Sequence, residues 1–347
     1  EILYQNDYPY ESSTTRAGRD HWASFAESVV SELGLEPDQL AVDIGSNVGV
    51  LLEAFKNKGM RVHGVDPAPN IVERAMERGI DTSCAFFGME SARNIIDAKG
   101  KASVITGTNV FAHIDDLVAF AQAVQVLLAD DGVLIIEAPY FANLVAYGEY
   151  DTVYHEHLSY ISVRPVRKFF QRFGMEIFDV QPMEIHGGSL RIFVNRTGQR
   201  TVSSDVARLL AHEEETGLHT PETLSTFTEA VEQNRKDLLA LLHGLKIEGN
   251  TIVGVSAPAK GMTLLNYCRL GKEVLEFVTE KSPLKIGRFT PGGHIPVMPD
   301  EELLRLQPDY ALLLAWNFAD EIMLNLDEYR SRGGRFIIPI PTPQIID

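Results

Sequence analysis

The chain has 347 residues, 45% of them hydrophobic and 23% charged, which suits about two globular domains and excludes a disordered polymer. A net charge of −17 excludes a nucleic-acid polymer or an anionic membrane as a general partner, because both require a basic surface. No apolar run reaches the roughly 18 residues of a membrane span, no signal peptide opens the chain, and Cys84 and Cys268 are too few for a disulfide framework, so a cytoplasmic protein is expected.

The chain begins at Glu1 rather than Met, which leaves room for an upstream segment. Residues 1–35 read as a helical lead-in: a polar, aromatic stretch, then Trp22, Phe25, Val29 and Leu33 at helical spacing. Leu40–Phe55 reads as a strand, a glycine turn and a helix. A strand over Met60–Asp66 and a helix over about Asn70–Arg78 follow. Ala102–Phe111 and Asp131–Tyr140 are two more buried strands around a helix at Asp116–Leu128. This alternation predicts an α/β domain over 36–200 with a parallel, doubly wound sheet. Residues 201–247 are charge-rich and helical in period, a connector to a second α/β domain over 248–347. That domain shows strands at Val274–Glu280, Tyr310–Trp316 and Arg335–Ile340, and the two α/β parts are analogous in plan. Neither an internal repeat nor a low-complexity tract is present.

In the string VDIGSNVG, Asp43 ends a strand, and Gly45 and Gly49 flank the turn into a helix, whose first amides lack partners within the helix. Asp66 follows Gly45 by 21 residues, at the end of the second strand, where a carboxylate accepts the two hydroxyls of a ribose. This is a nucleoside-binding arrangement, shared by dinucleotide and S-adenosylmethionine sites. Two details favour the latter. The pattern lacks the Gly-x-Gly-x-x-Gly of a pyrophosphate turn, and Asp43 would repel a pyrophosphate but suits the cationic amino group of a methionine moiety. The region resembles the class I S-adenosylmethionine-dependent methyltransferases. The expected cofactor residues are Asp43, Gly45, Ser46, Asn47, Gly49, Asp66, Pro67 and Asn109.

Within DTVYHEHLSY, Tyr154, His155, Glu156, His157 and Tyr160 cluster, as acid–base chemistry near neutral pH requires. His155 and His157 have the spacing of two metal ligands on a strand, but no third ligand sits at a familiar distance along the chain, so no metal is expected. The string YHEHLSY, a helix over Phe169–Val180 and the strand HGGSLRIFV are similar to those of the sugar C-methyltransferases, which act at C-3 of nucleotide-linked 4-keto deoxysugars. The likeness covers nearly the whole chain, including DYPYESS, TNVFAHIDD, SAPAKGMTLLNY and RFTPGGHIPV. It implies a Rossmann-like C-terminal domain. The family's cysteine-rich N-terminal zinc module is not in this chain, so zinc is not expected in it.

Carried over residue by residue, the resemblance makes His157 the base, with Tyr154, Glu156 and His113 as further active-site residues. Tyr8, or Tyr10 two residues on, matches the family's N-terminal tyrosine. The second glycine turn contains Ser256, Ala257, Lys260 and Gly261, with Glu280 19 residues after Gly261. Alone it suggests a dinucleotide, but its Gly-x-Gly core is missing and Lys260 offers a point charge to phosphate. The resemblance assigns this turn to the substrate's nucleotide. Lys285 and Arg288 form a basic loop, and Trp316 and Asn317 lie at a strand end where ligands of such sheets gather.

The expected reaction is removal of the C-3 proton by His157, with Tyr154, His113 or Tyr8 donating to the oxyanion. S-adenosylmethionine is the expected cofactor and a nucleotide-linked keto sugar the partner. O- or N-methylation of another small molecule, a dehydrogenase using the second turn, and a non-catalytic nucleotide-sugar binder are the alternatives.

Overall fold

The computed structural model describes residues 16–184 and 187–347, which divide into two compact units. The first runs to Tyr140 and adds Leu158–Met183 and Ser189–His212. The second comprises Phe141–His157, Glu184–Gly188 and Glu213–Asp347.

In the first unit, α1 (Arg16–Leu33) precedes β1 (Leu40–Ile44), α2 (Val50–Asn57), β2 (Arg61–Asp66), α3 (Pro69–Glu77), β3 (Thr82–Cys84), α4 (Met89–Lys99), β4 (Ala102–Thr108), α5 (Leu117–Leu127) and β5 (Leu128–Pro139). Every residue of β1 is buried, as expected of a strand covered on both faces. The sheet order is β3-β2-β1-β4-β5-β7-β6, with β7 (Ser189–Arg196) antiparallel between β5 and β6 (Met175–Met183). This is the class I methyltransferase sheet, so the expected α/β class holds, with one antiparallel strand added to the parallel set.

One element differs. The predicted helix Phe169–Val180 ends early: α7 spans Val163–Gln171, Gly174 takes φ +62°, and the residues after it form edge strand β6. The glycine stops the helix in a left-handed conformation, and the alternating apolar residues Met175 and Ile177 are buried against β7.

In the second unit, α6 (Phe141–Tyr147) precedes the loop carrying the Tyr154–His157 string. Most of α8 (Ser204–Glu215) belongs to the first unit; in the second, α9 (Pro221–Ile247) leads into β8 (Ile252–Val255), α10 (Ala259–Cys268), β9 (Val278–Glu280), β10 (Val297–Pro299), α11 (Glu301–Leu306), β11 (Tyr310–Leu313), α12 (Ala319–Asn325), α13 (Asp327–Ser331), β12 (Arg335–Ile338) and β13 (Gln344–Ile346). The six-stranded order is β10-β9-β8-β11-β12-β13, parallel except for β13. Helix α9 is part of this unit's core: Leu238, Leu242 and Leu245 pack with Ile252, Leu264 and Ile337. No described helix is long and apolar enough to cross a membrane.

Candidate active site

The first unit brings the expected cofactor residues together at the carboxyl ends of β1, β2 and β4. Gly45 and Gly49 take φ +66° and +77°, which favour glycine. A Cβ on Gly49 would also lie 2.9 Å from Ile80. Asn47 and Asn109 tolerate the same left-handed region at φ 52° and 55°. Asp66 is buried, and its two oxygens each accept one amide, from Asn47 and Ala68, both at 3.0 Å. Burial raises its pKa while those amides oppose the rise. Pro67 follows in the turn that enters α3, and the Asn109 amide donates to the Glu137 carbonyl at 2.7 Å.

Asp43 lies opposite Thr106 in the β1–β4 register and accepts its hydroxyl at 2.6 Å. Burial pushes the Asp43 carboxyl up to about 7 against the Thr106 bond, and the Asp66 charge adds to the rise. Ser46 Oγ is buried without a hydrogen-bond partner among the described residues. Sequence reasoning missed a buried network nearby: Glu137 on β5 pairs with Arg191 at 2.8 Å and His21 at 2.6 Å. Burial alone would raise the Glu137 pKa, but His21 and Arg191 bring it below the usual value.

His113 ends a short 3₁₀ turn, Phe111–His113, after β4. The carbonyl of Ala112 beside it accepts the amides of Leu158 and Ser159, at 2.8 and 3.1 Å.

The second unit carries the string Tyr154–His157. The His157 Nδ1–H donates to the Thr152 carbonyl at 2.7 Å. A carbonyl only accepts, so this bond selects the tautomer whose lone pair is on Nε2. Burial lowers the His157 pKa, the Thr152 bond opposes that, and the Lys260 charge lowers it further. The neutral, proton-accepting imidazole is thereby favoured. The Tyr154 ring lies 4.2 Å from the His157 ring, centroid to centroid, and burial raises the Glu156 pKa. Tyr8 lies outside the described residues.

In the second turn, Ser256 takes φ +69°, and the Ala257 amide donates to Glu280 Oε2 at 3.1 Å. A Cβ on Gly261 would lie 2.8 Å from Leu314 Cβ, so this glycine lets α10 approach the end of β11. Lys260 Nζ lies 3.7 Å from Asp151, a fully buried carboxylate that the sequence did not single out. Glu149 was missed likewise. Burial pushes it up to about 7, with Lys260 opposing and Asp151 adding to the rise. Among the described residues no three His, Cys, Asp or Glu side chains gather as metal ligands.

Residues 20–180 match the family described as "Methyltransferase domain" and residues 184–341 match "C-methyltransferase C-terminal domain". The chain is 37% identical over all of its 347 residues to "C-methyltransferase NovU" of Streptomyces niveus, covering 82% of that protein. The chain belongs to the C-methyltransferase family. Among solved structures it is similar to magnesium protoporphyrin IX methyltransferase from Synechocystis with S-adenosylhomocysteine bound, at 16% identity and TM-score 0.42 over 54% of this chain and 90% of that one. An S-adenosylmethionine-dependent methyltransferase from Clostridium acetobutylicum gives 15% identity and TM-score 0.40 over 52% and 92%.

The C-methyltransferase is an enzyme, and its cofactor is S-adenosylmethionine. The residues of the first unit fit that molecule. Asp66 keeps one acceptor position on each oxygen, enough for two vicinal hydroxyls. The buried Ser46 hydroxyl is unsatisfied, and a cationic amino group would offset the desolvation of Asp43.

Proposed function

We propose that this C-methyltransferase acts at C-3 of a nucleotide-linked 4-keto deoxysugar, with His157 as the base. The observation that carries this reading is the bond from His157 to the Thr152 carbonyl, which directs proton acceptance to Nε2 in a half-buried imidazole. A ketone at C-4 acidifies the neighbouring C-3 proton because the resulting carbanion is delocalised as an enolate. His157 takes that proton, and Tyr154, His113 and Tyr8 are the candidate donors to the enolate oxygen. Glu156 belongs to the same string. When bound, S-adenosylmethionine supplies an electrophilic sulfonium methyl to the nucleophilic carbon.

The first unit's Asp43, Gly45, Ser46, Asn47, Gly49, Asp66, Pro67 and Asn109 hold the donor, while Ser256, Ala257, Lys260 and Gly261 of the second serve the substrate's nucleotide. The relative named NovU, itself a C-methyltransferase, supports carbon as the atom methylated.

The test combines turnover with isotope exchange. Labelled S-adenosylmethionine is incubated with a panel of nucleotide 4-keto sugars, and products are read by mass spectrometry. With S-adenosylhomocysteine in place of the donor, the wild-type enzyme is expected to exchange the C-3 proton with deuterated water. His157→Asn should lower kcat by about 10²–10⁴-fold and abolish exchange while both ligands still bind. Normal exchange in the variant would place the base elsewhere, and methylation without exchange in the wild type would favour oxygen or nitrogen as the acceptor.

A further inference from the structure

Lys260 is the second residue of α10, at the end where the helix dipole is positive, and 15% of its side chain is exposed. A cation there is unfavourable unless something offsets it. Two groups do. Asp151 Oδ2 lies 3.7 Å from Nζ, and the Trp316 ring centroid lies 4.4 Å from it. Trp316 Nε1–H also donates to that same Oδ2 at 2.8 Å, so the three side chains fix one another. The other oxygen, Oδ1, is buried without a hydrogen-bond partner among the described residues. A loose ion pair with half of a buried carboxylate unsatisfied is a poor device for stability. It is a good one for holding an ammonium in one place.

We propose that Asp151 is a positioning residue: with Trp316 it clamps the Lys260 ammonium, and the clamped lysine is the cation that meets the anionic nucleotide portion of the substrate. The role in catalysis rests on the nucleotide-sugar reading above. The clamp itself does not. Its electrostatic field reaches Glu149 and His157, whose titrations both feel Lys260, so the lysine is a shared charge of the second unit.

Asp151→Asn removes the charge while keeping an oxygen for the Trp316 N–H, so the fold has reason to persist. The expected result is a KM for the nucleotide sugar raised about tenfold, the usual scale for one hydrogen bond to a charged group, with kcat and cofactor affinity nearly unchanged. Asp151→Glu should restore part of the loss. Lys260→Met should raise KM at least as much, and the double variant should be no worse than Lys260→Met alone, because Asp151 acts through the lysine. Additive losses, or a fall in kcat at constant KM, would overturn the proposal.

A second readout needs no substrate. The chain has two tryptophans, so in a Trp22→Phe background the emission comes from Trp316 alone. Asp151→Asn must shift that emission, and an unchanged spectrum overturns the clamp. If the wild-type enzyme turns over no nucleotide sugar, the proposed function fails, while the emission still decides the clamp by itself.

Discussion

Each unit opens its sheet with the same device: a strand, a turn, a helix, and a carboxylate at the end of the neighbouring strand that accepts a turn amide. In the first unit the Asn47 amide donates to Asp66 at 3.0 Å; in the second the Ala257 amide donates to Glu280 at 3.1 Å. What differs is the capacity left over. An ionised carboxylate offers about four acceptor positions. Asp66 uses one on each oxygen. Glu280 uses all four: Oε1 takes the amides of Lys281 and Ser282, and Oε2 takes Ala257 and the Lys285 ammonium. Burial raises the Asp66 pKa, whereas at Glu280 the same effect is outweighed by Lys285 and the two amides, leaving that carboxyl below its usual value. Identical topology therefore gives one carboxylate able to receive a ribose and another already consumed in bracing its own turn.

The largest expected effect breaks the saturated side. Glu280→Ala removes the acceptor of three amides and one ammonium, and should destabilise the protein by about 2–4 kcal/mol, read by denaturant or thermal unfolding. S-adenosylmethionine affinity should stay as it is in the folded protein. A loss of cofactor affinity without a loss of stability would mean that Glu280, not Asp66, meets the nucleoside.

The open side gives a smaller effect of a different kind. Asp66→Ala should weaken S-adenosylmethionine by about 1–3 kcal/mol in a calorimetric titration. The folded core should survive, because only two amides lose their acceptor. Unchanged affinity would remove the ribose role from Asp66.

Much of this was legible in the sequence because it depends on neighbours in sequence. Strand periodicity, the turn glycines and the spacing of Asp66 located the first glycine turn and the sheet that carries it. The string Tyr154–His157 was visible as a cluster, and its packing with the second unit was not, since residues 141–157 join that unit through contacts far away in sequence. Glycine positions explain part of this: a Cβ on Gly187 would run into the Glu149 carboxylate, a contact between residues 38 positions apart that only the folded chain exhibits. Asp151 reads as an ordinary loop acid until its burial and its partners Lys260 and Trp316 are seen. Glu280 was noticed at ribose-binding spacing, yet spacing cannot count the donors already around a carboxylate.

The smallest effect is one of protonation, and it too separates the two sides. Asp43 titrates near 7 in the folded protein against an ordinary value of 3.8. A folded-state pKa above the unfolded one means the native carboxyl holds its proton where the unfolded one has lost it. Native stability from this group is therefore full below 3.8 and lost as pH rises towards about 7. Glu280 behaves oppositely: its contribution is present above its ordinary value of 4.5 and is lost as pH falls through its lowered folded value. If the cationic amino group of S-adenosylmethionine meets Asp43, binding requires the ionised carboxylate. Affinity should then fall about tenfold per pH unit below 7, and binding at pH 6 should release close to one proton. Calorimetry at pH 6 in two buffers of different ionisation enthalpy measures that proton directly. Asp43→Asn should abolish both the release and the pH dependence. Proton release that persists in the variant would assign the titration to another group and separate Asp43 from the methionine end of the cofactor.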